Sequence, residues 1–170
     1  MPRLLGQMGL GPAEAAMAAS SMAVATIAMR GLALIAPPRA NPLLGVRLAT
    51  LLHPLGALLA LLGGKAAAVA IPIGQGMGNG LLSVAAGVVP LHIFGKANYG
   101  QRQALMMLPA RFAQALAPVS FGLALDQSPG VALGITSGLY LIMFGLSFGL
   151  KPEGGARRSK TAVAKAAKGA

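Results

Sequence analysis

The sequence predicts an all-α fold: a polytopic membrane helix bundle with five transmembrane helices. Three observations predict it. Of the 170 residues, 55% are hydrophobic, and mean hydropathy is +0.70. Only 10% are Asp, Glu, Lys or Arg, against about 25% in an ordinary soluble domain, too few to cover a water-facing surface. Finally, five apolar stretches, 13–36, 46–63, 66–94, 103–125 and 130–150, each have the roughly 17–25 apolar residues that a spanning helix needs.

Residues 1–12 precede the first stretch as an extracytoplasmic segment. The first stretch itself is too long for a signal-peptide core of about 7–15 residues, and Arg30 sits where a cleavage site would want small residues. "PPRANP" (37–42) ends it, because proline cannot continue a helix. Lys65 divides the second stretch from the third, and "KANYGQR" (96–102) divides the third from the fourth. The third is long enough to tilt. "DQSPG" (126–130) is a turn signal between the fourth and fifth. Residues 151–170 form a basic, Gly- and Ala-rich tail, expected to be solvated beside anionic lipid.

Charge sets the orientation. Alternating the connections across a bilayer puts twelve of the 14 basic residues on one side and leaves only Arg3 and Lys65 on the other. The positive-inside rule makes the richer side cytoplasmic. The C-terminus is then cytoplasmic and the N-terminus outside. An odd helix number starting outside suggests a missing upstream segment. The expected location is a bacterial inner (plasma) membrane, with the chain passing through several times.

Composition also excludes chemistry. There is no cysteine, the two histidines are His53 and His92, and the acids are Glu14, Asp126 and Glu153. A carboxylate pair, a metal cluster or a hydrolytic triad has almost nothing to draw on. No catalytic residue, metal or cofactor is expected, and the chain does not read as an enzyme. The net charge of +11 lies at helix edges and in the tail, and aromatics are only 4%. No basic stripe with stacking residues exists, so nucleic acid is not an expected partner. Glu14 reads as an N-terminal charge on the first helix, and Asp126 as a solvated loop charge. His53, beside Pro54, and His92 read as packing residues.

"GQGMGNG" (74–80) is the most informative stretch. Counted from Gly74 and Gly76, the third position of G-x-G-x-x-G is Asn79. Counted from Gly76 and Gly78 it is Leu81. No G-K-[ST] follows, so a phosphate loop fails residue by residue. On a helix, Gly76, Gly80, Ser83 and Gly87 form one narrow stripe, and Gly74 and Gly78 lie roughly opposite. Lipid offers no hydrophobic gain on helix association, so close backbone approach drives packing. Two glycine faces imply a central helix with a neighbour on each side. Gln75 and Asn79 share a third face, and should meet a partner helix or an aqueous cavity. Pro72 and Pro90 permit bends. In "LPARFAQALAP" (108–118), Arg111, Gln114 and Pro118 share a face. Arg111 lies about 12 Å into a helix starting at Gln103, where it either snorkels or faces a cavity. Pro118 is a candidate hinge.

Residues 74–126 resemble the tenth and eleventh helices of major facilitator superfamily (MFS) transporters. The similar pattern runs Gly76, Gly78, Asn79, Gly80, then Gly87, Pro90, Leu91, Phe94, Gly95, then Tyr99, Gly100, then Ala113, Gln114, Ala115, Ala117, Pro118. Arg30 looks like the arginine at the cytoplasmic end of helix eight. The resemblance covers about 70–150 and, more faintly, 13–63. It implies a partial MFS fold, helices eight to twelve, without an N-terminal half and the seventh helix. "PPRANP" also lacks the family's dense basic run.

The function so implied is secondary transport of a small solute, with efflux as the direction, by alternating access in a truncated carrier. The lipid bilayer, the solute, a coupling proton and a missing N-terminal half are the implied partners. Helices eight, ten and eleven would line the cavity, and nine and twelve would face lipid. Gln75, Asn79, Arg111 and Gln114 are the expected cavity contacts. Gly74, Gly76, Gly78, Gly80 and Gly87 are the packing residues, and Pro90 and Pro118 the hinges. The alternative is a non-transporting membrane remnant or small structural membrane protein whose basic tail binds lipid.

Overall fold

The structure is a computed structural model that describes residues 1–35, 42–96 and 98–150, without the side chains of Pro42 and Phe94. Most of "PPRANP" and the whole basic tail lie outside the described residues. The chain forms α1 (Pro2–Gln7), α2 (Pro12–Ile35), α3 (Pro42–Ala67), α4 (Ala70–Phe94), α5 (Tyr99–Gln127) and α6 (Pro129–Leu146), then a short 3-10 turn, Ser147–Gly149. Among the described residues there is no strand. Among the described residues, five helices, α2 to α6, are long and apolar enough to cross a membrane. The fold is the all-α helical bundle that composition predicts, and the chain is of the multi-pass membrane type.

Local signals account for the ends. Gly64, at φ 58°, interrupts α3, close to the end of the apolar run at residue 63. That backbone is open to glycine at little cost. Ser128 caps α6, its Oγ accepting from Val131 N at 3.1 Å with Pro129 in the first turn. This is the turn that "DQSPG" signals. Helices α3 and α5 each start four residues earlier than their apolar stretches, α3 with Pro42 as its first residue, where its missing N–H costs nothing, and α5 through the polar turn 99–102. The N-terminal segment, expected only as a lead-in, contains a helix of its own.

The interior is built of small residues. Ala49, Ala57, Ala60, Ala68 and Ala132 are buried, whereas Ile27, Leu62 and Phe112 are 73%, 78% and 68% exposed. In water this arrangement forfeits the main driving force for folding. In hydrocarbon it is favourable: large side chains meet lipid and small ones let backbones approach.

Helix α4 packs between α2 and α3. Gly76 faces Met22 O and Gly80 faces Thr26 O, both on α2. Gly74 faces Leu52 O and Gly78 faces Ala49 O, both on α3. The two opposed glycine faces therefore meet two different helices. Gly56 of α3 returns the contact against Ala70 O. A Cβ at Gly80 would lie 2.6 Å from Thr26 O, and one at Gly78 would lie 2.8 Å from Ala49 O.

The stripe continues with polar ties. Arg30 Nε donates to Ser83 Oγ at 2.9 Å, joining α2 to α4. Tyr99 Oη donates to Gly87 O at 2.7 Å, and Gln103 Nε2 to Ala86 O at 2.9 Å, joining α5 to α4.

Gly80→Ala should lower the melting temperature in detergent by an overpacking cost of about 1–3 kcal/mol. Gly134→Ala, whose Cβ would meet open space, should leave it unchanged or raise it slightly. Equal shifts for the two would contradict the backbone contact.

Candidate functional site

A cavity of about 380 Å³ lies among α3, α4, α5 and α6. That is within the usual size of small-molecule pockets, roughly 300–1,000 Å³. Its walls are mainly apolar, with Phe121, Leu133, Ile135 and Leu139 among them, and it carries four polar groups of interest: His53, Gln75, Thr136 and Tyr140. These come from three spans. His53 is near the centre of α3, Gln75 near the start of α4, and Thr136 and Tyr140 are one turn apart on α6.

The polar groups are mutually ordered. Thr136 Oγ1 donates to Ala132 O at 2.9 Å. Thr136 Oγ1 also lies 3.0 Å from His53 Nε2, a hydrogen bond whose donor is set by the imidazole tautomer. His53 Nδ1 is buried and unpartnered, as is Gln75 Oε1. Tyr140 lies against the imidazole with ring centroids 4.8 Å apart.

The short helix α1 closes one end of this space. Met1 and Leu4 belong to the cavity lining. Leu4 is fully buried with Ala57, Ile71, Leu125 and Leu133 from the four surrounding helices. Leu5 is buried against Ala15, Ala18 and Ala68. Two ion pairs ring the same end: Arg3 with Asp126, and Lys65 Nζ with Glu14 Oε2 at 3.2 Å. Glu14 Oε2 also accepts from Gly11 N at 2.9 Å, holding the start of α2. Asp126 and Glu14, expected as a loop charge and a helix-end charge, thus both have cationic partners.

The four expected contacts separate. Gln75 lines the cavity. Asn79, one turn along α4, is half-buried and outside the lining. Arg111 and Gln114 are exposed on α5, with Arg111 Nη1 donating to Gln114 Oε1 at 3.1 Å. Because α5 begins at Tyr99, Arg111 is about 18 Å along it, at about 1.5 Å per residue. Pro118 lies in α5 at the cavity wall, and Pro90 lies inside a continuous α4. The helices lining the cavity also differ from the expected set. α3 and α6 contribute His53, Thr136 and Tyr140, while α2 contributes nothing. The reason is that α5 stands clear of the bundle between its tied ends: residues 108–120 are all exposed.

Sequence reasoning gave His53 a packing role and passed over Thr136 and Tyr140. His53 and Thr136 are 83 residues apart, so no local pattern joins them. The available signal was modest: isolated polar side chains in apolar spans, two of them at i and i+4. At the other end of α3, the Arg47 guanidinium lies 4.1 Å from the Phe148 ring centroid, a cation–π contact that accommodates charge near an apolar wall.

Comparison with family models, curated proteins and solved structures gave no match.

Leu4→Ala should cost about 2–5 kcal/mol of stability, the range for a buried leucine truncation. Arg3→Ala should cost less than about 1 kcal/mol, because both partners of its ion pair are over half exposed. Thermal unfolding in one detergent would rank them, and the reverse order would show that the ion pair, not the leucine, holds α1.

Proposed function

We propose that the chain is the C-terminal part of an MFS-type secondary transporter, moving a small solute outward by alternating access. The observation that supports this best is the convergence of His53, Gln75, Thr136 and Tyr140 on one cavity inside an otherwise apolar bundle. Polar side chains within a membrane are costly, and they persist where a pathway uses them. The resemblance of residues 74–126 to helices ten and eleven supplies the family.

The mechanism follows from how the helices are held. At the α1 end, the cavity is stoppered by Met1, Leu4 and the exposed Arg3–Asp126 pair. Access from that end requires α1 to lift. At the other end, Arg30–Ser83 and Tyr99–Gly87 tie α2, α4 and α5, and access there requires these bonds to open. Between the two, α4 meets its neighbours through bare glycine, which leaves few side-chain knobs to block a small rocking motion. Pro90 and Pro118 are the hinges in this reading. The distribution of basic residues favours a bacterial inner membrane with the C-terminus in the cytoplasm. A coupling proton belongs to the same reading, which includes no catalysis, cofactor or nucleic acid.

One observation favours a second reading, a non-transporting structural membrane protein with a lipid-binding tail. The middle of α5 is exposed, and its Arg111–Gln114 pair is far from the cavity. In the transporter reading this face meets a second set of helices, the missing N-terminal half.

In proteoliposomes with verified insertion, wild type should take up a solute from a panel down its gradient. Gln75→Leu should reduce the rate by about tenfold, equivalent to about 1.4 kcal/mol, and Asn79→Leu should reduce it less. Uptake by neither wild type nor variants would favour the structural reading.

A further inference from the structure

We infer that the exposed middle of α5 is a docking face for another membrane-spanning helix, one that carries a carboxylate at the level of Arg111. This goes beyond the transporter reading, because it requires only that α5 crosses the membrane. Three features carry it.

The first is depth. α5 has 29 residues, of which Arg111 is the thirteenth. At about 1.5 Å per residue the helix is about 43 Å long, so a hydrocarbon core of about 30 Å centred on it leaves Arg111 about 12 Å below the nearer face. The guanidinium does not turn back toward that face. Its Nη1 donates to Gln114 Oε1 at 3.1 Å, and Gln114 lies almost one turn deeper. Lipid tails offer a cation in this position neither a hydrogen-bond acceptor nor a counter-charge.

The second is the missing counter-charge. Among the described residues, both acids are engaged elsewhere: Asp126 with Arg3 and Glu14 with Lys65, at the α1 end. Glu153, the third acid of the chain, lies outside the described residues. The hydrogen bond to Gln114 is to a neutral amide, which leaves the charge of Arg111 uncancelled. A carboxylate cancels it, and accepts two parallel bonds from a guanidinium. A second copy docked through this face brings no acid, since residues 108–120 contain none, and adds a second Arg111.

The third is shape. Residues 108–120 are all exposed. At about 100° per residue, Arg111, Ala115 and Gly122 share one stripe, turned away from Ala117, Ser120 and Ala124, which line the cavity. A Cβ at Gly122 would meet nothing within 4 Å. Small residues beside Arg111 let a second backbone come close enough for its carboxylate to reach the guanidinium.

The test is association of the full chain with synthetic helices in phosphatidylcholine vesicles. The chain has no cysteine, so Gln127→Cys, at the exposed end of α5, takes a single donor dye. Acceptor-labelled spanning peptides of leucine and alanine carry Glu, Gln, Lys or Leu at their centre. Energy transfer is followed against the peptide-to-lipid ratio, and the Leu peptide corrects for random encounter. The Glu peptide should associate about tenfold more tightly than the Gln peptide, the lower end of the range for close charge pairs. Arg111→Leu should abolish that difference, and Arg111→Glu should transfer the preference to the Lys peptide. Both variants alter an exposed side chain, and circular dichroism checks that the helices are retained. If Arg111→Glu fails to insert, Arg111→Leu decides alone.

Equal association of the Glu and Gln peptides, or a Glu preference that survives Arg111→Leu, would overturn the inference. Three further results would assign the face to another occupant and overturn it equally. Energy transfer between two labelled copies that Arg111→Leu removes would assign it to a second copy. Loss of the Glu preference on adding phosphatidylglycerol would assign it to a lipid headgroup. A Glu preference that emerges only in Glu153→Gln would assign it to the tail. Association of the Glu peptide without flux of any solute would uphold the docking face while removing the transporter reading. Flux without association would do the reverse.

Discussion

Contact between bare backbones is the constraint on which this structure depends. In hydrocarbon, burying a leucine against another helix gains little over leaving it in lipid. What remains is dispersion between closely approaching main chains, and that attraction fades within an ångström of added separation. Gly74 and Gly78 bring α4 against α3, and Gly76 and Gly80 bring it against α2. The other helices are then arranged around this three-helix slab. Alanine fills many of the remaining interior positions for the same reason, and most of the bulky residues outside the α1 end are left to the outside.

Polar groups supply direction where packing does not. Along the α4 stripe, glycine contacts give way to Arg30–Ser83 and then to Tyr99–Gly87. One helix face thus changes from a packing surface to a set of ties over about two turns. The ties fix the start of α5, and burial of Ala124 and Leu125 fixes its end. Nothing comparable holds its middle. Residues 108–120 are all exposed, so the helix stands clear of the bundle there and leaves space behind it. The cavity is a consequence of that weak middle.

The short α1 belongs to the same economy of space. Two adjacent leucines point into two different clusters, Leu4 into the α3–α6 group and Leu5 into the α2 group. A single turn of helix thereby joins the two sides of the bundle at one end. Its ion pairs are exposed and weak, so burial of the leucines accounts for most of its attachment. A plug of this kind closes the cavity without any residue being committed to covalent or strongly electrostatic bonds.

The sequence by itself determined the solvent, the number of spans and the central place of α4. Those follow from composition, from length and from the 3.6-residue period, which are properties of single segments. It also marked Gln75 as a residue that had to find a polar place. The tertiary structure alone decided which helices enclose the cavity and which polar groups share it. Thr136, Tyr140 and His53 meet across a large separation in the chain, and their meeting depends on how α3 and α6 rotate about their own axes. That rotation is set by packing between helices, and a one-dimensional pattern of apolar residues leaves it open in lipid, where every face of a spanning helix is apolar. The same holds for α5: its arginine and glutamine share a face on a helical wheel, but the wheel does not say which way the helix is turned.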